Sequence, residues 1–278
     1  MKLGLFDSGV GGLTSLRAIR HMLPNADLVY LGDTARLPYG TKSSQTVRSY
    51  AELAVGYLVQ EYGVDAVVVA CNTASAYATN SLKAQFPHIP VYSVIEPSVS
   101  AAVASLAAVD APLVGVLATE ATVREQSYNR AILASLPHAL VVSEAAQLLV
   151  ALAEEGVLEG KIARLVIEKY LTSLFTQQKR WPQVLILGCT HFPILKHEIR
   201  RAADGLGANA MHIVDPSLEI ASTITAEIGS GLQSGNGETY FLATDNADRF
   251  VRVGNIFLRG EIDLTEPEII DLLPDLVR

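Results

Sequence analysis

Short apolar runs alternate with longer segments of helical periodicity along this chain of 278 residues. The runs are rich in Val, Ile and Leu, and they end in or beside Gly, Cys, Thr or Asp. Such alternation is typical of a parallel sheet that helices cover on both faces. The sequence therefore predicts an α/β fold, with strands over 3–6, 27–32, 66–70, 91–94, 113–118, 139–142, 184–187 and 211–214.

The segments between these runs are rich in Ala and Leu, and their charged residues are spaced as on helices. They predict helices over 45–62, 99–107, 122–136, 161–175, 194–205 and, near the C-terminus, about 266–273. Half of the residues are apolar, which allows an ample core, and the length is compatible with two lobes. Candidate crossovers between the lobes are the segment 95–98 and the polar turn at 205–209.

The two cysteines of the chain lie in near-duplicate settings. Cys71 occurs in VVVACNTA at 67–74, and Cys189 occurs in LILGCTHF at 185–192. Ligands of open α/β sheets bind beyond the carboxyl ends of the strands, which is where both thiols are expected, one in each lobe. In a reducing compartment such thiols are more often catalytic, ligating or buried than disulfide-bonded. A matched pair suits chemistry on two faces of one atom, such as a stereochemical inversion.

Small polar residues directly follow each cysteine. Asn72, Thr73 and Thr190 are candidate N-caps of the helices that come next. The same position brings each thiol close to a helix N-terminus, whose partial positive charge favours the thiolate. We therefore expect capping and thiol activation to coexist, although a single buried cysteine of this kind is more often inert.

Each cysteine has a candidate proton-exchange partner. His191 lies two residues beyond Cys189 and can hold or exchange the thiol proton, and Asp7 can serve Cys71 in the same way. Cys71, Cys189 and His191 are also possible zinc ligands, but the chain has neither the Cys-x-x-Cys nor the His-x-x-x-His spacing. We expect no metal.

A glycine-rich segment, DSGVGGLT at 7–14, follows the first predicted strand and opens a helix. Its backbone N–H groups can bind an anion, although a tight turn without a ligand is the alternative. A dinucleotide fingerprint would need glycine where Thr14 stands. The loop at 32–40, GDTARLPYG, has the Pro and Gly residues of an ordered turn.

The net charge of −8 is spread along the chain without a Lys/Arg cluster. We therefore expect no nucleic acid as primary partner. An acid at Asp7 comes too early for a signal-peptide core, and no apolar run approaches the about 20 residues that span a bilayer. The sequence predicts a cytoplasmic protein with no membrane partner.

Several motifs, taken in order, resemble the cofactor-independent glutamate racemases of the aspartate/glutamate racemase superfamily. The resemblance covers most of the chain and rests on their combined order and spacing. The motifs are DSGVGG at 7–12, GDTARLPYG at 32–40, ACNTA at 70–74, VIEP at 94–97, the Thr119 and Thr122 stretch, and GCTHFP at 188–193.

The resemblance implies two Rossmann-like or flavodoxin-like α/β lobes related by pseudo-twofold symmetry, with the active site in the cleft between them. The first lobe comprises 1–96 and 209–278, and the second comprises 97–208. It also implies a homodimer without a cofactor, whose small-molecule substrate is glutamate and whose product D-glutamate serves peptidoglycan synthesis. No lysine motif for pyridoxal phosphate is evident in the sequence.

The resemblance further implies the site residues. Cys71 acts on the D-isomer and Cys189 on the L-isomer, assisted by Asp7 and His191. A family glutamate maps to Glu154, although 144–151 reads EAAQLLVA where members often carry Cys-Pro and Phe-Val-Pro. The implied substrate contacts are Asp7, Ser8, Tyr39, Gly40, Asn72, Thr73, Thr119, Thr122, Thr190 and His191.

Two alternatives stay open from the sequence. The nearest is an aspartate racemase or another member of the superfamily, because side-chain length preference is not encoded in any motif above. The other is an amino-acid-binding module that has the cleft but performs no chemistry. A matched pair of thiols disfavours the second alternative, since binding alone does not need it.

Overall fold

The computed structural model describes residues 1–228 and 235–272, and their fold is α/β with two separate parallel sheets. The predicted fold class is confirmed. The buried strands carry the β-branched runs seen in the sequence, as a sheet covered on both faces requires. The strands are β1 Lys2–Asp7, β2 Asp27–Gly32, β3 Ala66–Val69, β4 Val91–Ser93, β5 Leu113–Ala118, β6 Leu140–Ala145, β7 Val184–Gly188, β8 His212–Val214, β9 Thr239–Ala243 and β10 Glu268–Ile269.

The strand orders of the two sheets share a four-strand pattern. The first sheet has the order β10-β9-β2-β1-β3-β4, and the second has β6-β5-β7-β8. The shared pattern is β2-β1-β3-β4 in the first sheet and β6-β5-β7-β8 in the second. In chain order, the first of these four strands lies between the second and the third, and the fourth is next to the third. β3 and β7 therefore occupy equivalent positions, and the two cysteines follow these equivalent strands.

Helices and short 3₁₀ turns connect the strands. Most of the helices lie where the periodicity predicted them, with ends that differ by a few residues. They are α1 Leu13–Met22, α2 Ser44–Tyr62, α3 Asn72–Gln85, α4 Ile95–Ser105, α5 Glu120–Glu125, α6 Ser127–Ser135, α7 Gln147–Glu154, α8 Gly160–Gln178, α9 Lys196–Gly205, α10 Pro216–Ile228 and α11 Ala247–Leu258, with 3₁₀ turns at Thr34–Arg36, Tyr39–Thr41 and Phe192–Leu195.

Two helix predictions need correction, and the sequence did not predict helices α7, α10 and α11. The single helix over 122–136 is two helices, because Gln126 adopts a left-handed conformation between α5 and α6. The predicted crossover at 95–98 lies in the first turn of α4, which joins β4 of the first sheet to β5 of the second. β9 and β10 were not predicted. The helix expected over 266–273 is extended chain containing β10, and residue 273 lies outside the described residues.

The second predicted crossover, at 205–209, does not lead back to the first sheet. The turn at 205–209 joins α9 to β8, and β8 pairs with β7 in the second sheet. Residues 212–214 therefore belong to the second sheet, beyond the predicted lobe limit at 208. The chain returns to the first sheet after β8, through α10. The lobe limits as such stay a prediction.

Apolar clusters cover both faces of each sheet. The strands β1, β2, β3, β5 and β7 are almost fully buried, whereas β6 and β10 are partly or largely exposed. Within the described residues, no helix is both long and apolar enough to cross a membrane.

The central strand β1 supplies a test of this core. Leu5 is fully buried, whereas Leu165 on α8 has 57% of its surface exposed. Replacing Leu5 by Ala leaves a cavity, so we expect L5A to lower the free energy of unfolding by about 2–5 kcal/mol. The matched variant L165A should change it by less than about 0.5 kcal/mol in urea unfolding. Equal effects of the two substitutions would contradict this description of the core.

Candidate active site

Cys71 follows β3 and stands at the start of α3. Its side chain is the N-cap of the helix, because Sγ accepts a hydrogen bond of 3.4 Å from the backbone N–H of Ala74. Asn72 and Thr73 are already within the helix, so the prediction that they cap it is wrong. The thiol is 4% exposed and is not part of a disulfide.

The surroundings of Cys71 keep its thiol protonated. Sγ donates to the hydroxyl oxygen of Ser8 over 3.5 Å. Burial and the nearby charge of Asp7 raise the pKa of Cys71 to about 12, although the hydrogen bonds from Ala74 and Ser8 act in the opposite direction. The pKa shift of Cys71 is therefore opposite to the one predicted from the helix N-terminus. Desolvation and a like charge outweigh the helix N-terminus.

Asp7 ends β1 and is fully buried at the junction of both halves of the site. Its Oδ2 accepts a hydrogen bond of 2.9 Å from the N–H of Gly9. Burial raises the pKa of Asp7, and the positive charge of His191 offsets part of that increase. Within the described part of the chain, Oδ1 has no hydrogen-bond partner. Asp7 therefore has one free acceptor atom beside Cys71.

Cys189 lies in the loop after β7 and is 5% exposed. The residues that follow it form a 3₁₀ turn, Phe192–Leu195, before α9 begins. Thr190 is consequently not the N-cap of an α-helix, and that prediction is wrong. The thiol is free, as is that of Cys71.

His191 links Cys189 to a carboxylate. Its Nδ1 lies 3.8 Å from Sγ of Cys189, and its Nε2 lies 3.0 Å from Oε1 of Glu154. Burial by itself would lower the pKa of His191, but the bonds to Cys189 and Glu154 raise it to about 10. The ring of Phe257 packs against the imidazole edge-on, with 5.2 Å between centroids. The imidazole is therefore held in one orientation.

Glu154 ends α7 and uses both carboxylate oxygens. Oε1 contacts His191, and Oε2 lies 2.6 Å from Nη2 of Arg249. Burial raises the pKa of Glu154, but the two cationic partners outweigh it and the net shift is downward. The residue occupies a position against His191 despite the unusual sequence before it.

Asn72 lies one residue beyond the first cysteine and is buried. Its Oδ1 accepts a hydrogen bond of 2.6 Å from the hydroxyl of Tyr128. Its Nδ2 is buried without a partner among the described residues. The first half of the site therefore presents one free acceptor, on Asp7, and one free donor, on Asn72.

Three threonines join the two halves. The hydroxyls of Thr73 and Thr122 each lie close to that of Thr119, at 3.0 Å, and lie 3.5 Å from each other. Thr73 is on α3, beside the first sheet, whereas Thr119 and Thr122 follow β5 of the second. Gly40 packs against Thr119, since a Cβ built on Gly40 would lie 3.0 Å from the Cβ of Thr119. Gly40 and the three threonines therefore lie together, and their contact with substrate stays a prediction.

Tyr39 and Thr190 use their polar groups within the protein. The hydroxyl of Tyr39 donates to Oδ2 of Asp33 at 2.6 Å. Thr190 has its hydroxyl 3.4 Å from Nδ1 of His191. Its carbonyl accepts a hydrogen bond of 3.1 Å from the hydroxyl of Thr14.

Four further residues that no sequence prediction named shape the site. Asp33 belongs to the motif at 32–40 that supports the resemblance, so this motif could have indicated that Asp33 is a site residue. Tyr128, Arg249 and Phe257 lie in helices without any distinguishing motif. Among the described residues, no group of three His, Cys, Asp or Glu side chains could hold a metal ion.

The raised pKa of His191 has a measurable consequence. The unfolded value is 6.5 and the folded value is about 10, so the stabilisation from the His191–Glu154 pair is complete below pH 6.5 and is lost as the pH rises towards 10. At about pH 8 we expect nitrogen NMR of labelled histidine to show both ring nitrogens of His191 protonated. E154Q should move the titration midpoint downward. A neutral His191 ring at this pH would contradict the raised pKa.

Comparisons with known proteins identify the family of this chain. A sequence profile of the Asp/Glu/hydantoin racemase family matches residues 14–221. A glutamate racemase of Aquifex aeolicus is 42% identical over 269 residues, which cover 97% of each chain. A crystal structure of glutamate racemase from Francisella tularensis in complex with D-glutamate has a TM-score of 0.86 and 36% identity, covering 98% of this chain and 97% of that one. The chain therefore belongs to the Asp/Glu/hydantoin racemase family, and within it to the glutamate racemases, which are isomerases.

Proposed function

We propose that the protein interconverts L- and D-glutamate without a cofactor, by proton transfer between Cα and two cysteines. One observation carries the proposal: Cys71 and Cys189 are free, buried thiols at the ends of equivalent strands, and each lies near an ionisable side chain, Asp7 for Cys71 and His191 for Cys189. Asp7 serves Cys71, and His191 with Glu154 serves Cys189. The product D-glutamate is for peptidoglycan, and the protein acts in the cytoplasm as a homodimer of two-lobed subunits.

Inversion at Cα requires that one base removes the proton from one face of the carbon. The opposite thiol then delivers its proton to the other face, and the C–H bond formed replaces the one broken. After the reaction the first sulfur carries a proton and the second is a thiolate. Cys71 takes the proton of the D-isomer and Cys189 takes that of the L-isomer.

The free polar atoms around Cys71 match an α-amino acid. The ammonium group suits Oδ1 of Asp7, and the α-carboxylate suits Nδ2 of Asn72; both atoms are buried and lack partners within the described residues. A positive charge beside Asp7 would cancel part of the field that raises the pKa of Cys71. Substrate binding would thereby promote the thiolate that the reaction needs.

The difficult step is the removal of a proton next to a carboxylate, because negative charge accumulates on the carboxylate oxygens. Polar groups that are already in place can stabilise such charge without reorganisation. Nδ2 of Asn72 and the hydroxyls of Ser8, Thr73 and Thr190 are the candidates on this site. The backbone N–H groups of the glycine-rich loop at 7–12 add further donors.

Incubation with L-glutamate in deuterated buffer tests the reaction. We expect deuterium at Cα together with loss of optical rotation, because the proton returned comes from an enzyme thiol that exchanges with solvent. Binding without incorporation or loss of rotation would identify an amino-acid-binding module instead. Faster inversion of L-aspartate than of L-glutamate would contradict the proposed substrate and identify an aspartate racemase.

Single-cysteine variants test the two bases. General acid–base groups contribute about 100-fold or more to rate, and we expect C71S and C189S each to lose racemisation by at least that factor. C189S should still exchange the α-hydrogen of D-glutamate in deuterated buffer, and C71S that of L-glutamate. Circular dichroism serves as the folding control. Full racemisation by either folded variant would exclude the two-base reaction.

A further inference from the structure

We propose that Arg249 is a positioning residue for this reaction. Its guanidinium group holds the carboxylate of Glu154 against Nε2 of His191 and so orients the acid–base partner of Cys189. The inference rests on the proposed function, since orientation of His191 affects rate only if Cys189 exchanges a proton with substrate.

Four side chains form one continuous line. Nη2 of Arg249 lies 2.6 Å from Oε2 of Glu154, and Oε1 of the same carboxylate lies 3.0 Å from Nε2 of His191. Nδ1 of the imidazole then faces Sγ of Cys189 at 3.8 Å. Because each carboxylate oxygen of Glu154 has a different cationic partner, the two contacts together fix the orientation of the carboxylate. Such charge-assisted hydrogen bonds are stronger than neutral ones.

The backbone that carries Arg249 is itself anchored. Its N–H donates to the side-chain Oδ1 of Asn246 at 3.1 Å, which caps the first turn of α11. The same helix carries Phe257, whose ring meets the imidazole of His191 at an interplanar angle of 85°. One helix therefore orients both the ring of His191 and the carboxylate that accepts from it.

The contact also spans the two sheets. α11 follows β9 of the first sheet, whereas Glu154 follows β6 and His191 follows β7, both of the second sheet. The bond from Arg249 to Glu154 therefore forms only when the two parts are arranged as in this structure. The arginine side chain is 36% exposed and that of Glu154 is 18% exposed. This partial burial makes the pair more than a solvated surface contact.

Steady-state kinetics of R249Q and R249K provide the first test. Small misplacements of catalytic groups cost up to about 100-fold in rate, and we expect R249Q to lower kcat/KM about tenfold or more. Because enantiomers have equal free energy, the loss must be the same in both directions. R249K should restore most of the rate, since it keeps the charge. R252Q, on an exposed arginine of the same helix, is the matched control and should behave as the unmodified protein.

Isotope effects separate positioning from a general structural defect. With α-deuterated L-glutamate, the deuteron goes to Cys189, so the primary effect on kcat/KM should rise in R249Q as that transfer becomes slower. With α-deuterated D-glutamate, the deuteron goes to Cys71 and the effect should fall. A variant that only reduces the amount of folded enzyme would leave both isotope effects unchanged.

The outcomes distinguish this inference from the proposed function. If the unmodified protein does not racemise glutamate, the proposed function fails. If it does, and R249Q has the same kcat/KM as R252Q or unchanged isotope effects, the positioning role of Arg249 is wrong. A loss in R249Q that R249K does not restore at all would contradict the charge-based contact with Glu154.

Discussion

The loop that follows β1 lies directly against the loop that follows β7, and the two halves of the site meet at this contact. Gly11 is at the point of closest approach, where a Cβ would collide with the side chains of Thr190 and His191. The hydroxyl of Thr14 adds a hydrogen bond to the carbonyl of Thr190. Because residue 11 has no side chain, the loop that carries Cys189 can lie close to Asp7.

The two thiols occupy equivalent positions in the fold but different electrostatic environments. Cys71 faces a buried carboxylate, which together with desolvation raises its pKa to about 12. Cys189 faces an imidazole whose own pKa is raised to about 10 by Cys189 and Glu154, against the effect of burial. The equivalent strands therefore provide matched sulfur positions, while the ionisable side chains beside the two sulfurs differ in charge: a carboxylate near Cys71 and an imidazole near Cys189.

Contacts between the two sheets involve the site residues themselves. The hydroxyl of Thr73 meets those of Thr119 and Thr122, and the carboxylate of Glu154 meets Arg249. The two thiols are almost fully buried in the same arrangement. The contacts between the two sheets therefore also fix the positions of the side chains beside the thiols.

Much of the fold and of the site could be predicted because the signals are local. The apolar runs specify parallel strands, and parallel strands place their carboxyl ends, with Cys71 and Cys189, at the edges where ligands bind. The missed strand β9 and the split of the helix over 122–136 depend on pairing and on one left-handed residue, which no periodicity reveals. The direction predicted for the pKa shift of Cys71 was wrong because burial and Asp7 act through space.

The sequence by itself therefore determined the fold class, the equivalent positions of the two cysteines and the identity of their nearest neighbours. Only the tertiary structure placed Ser8 at the thiol of Cys71, raised the pKa of that thiol by burial near Asp7, and extended the line from the predicted partner His191 through Glu154 to Arg249. Residues 95 positions apart in the chain, such as Glu154 and Arg249, leave no periodic or local pattern. Their interaction depends on how two sheets pack, and protonation follows from the burial and charge that this packing creates.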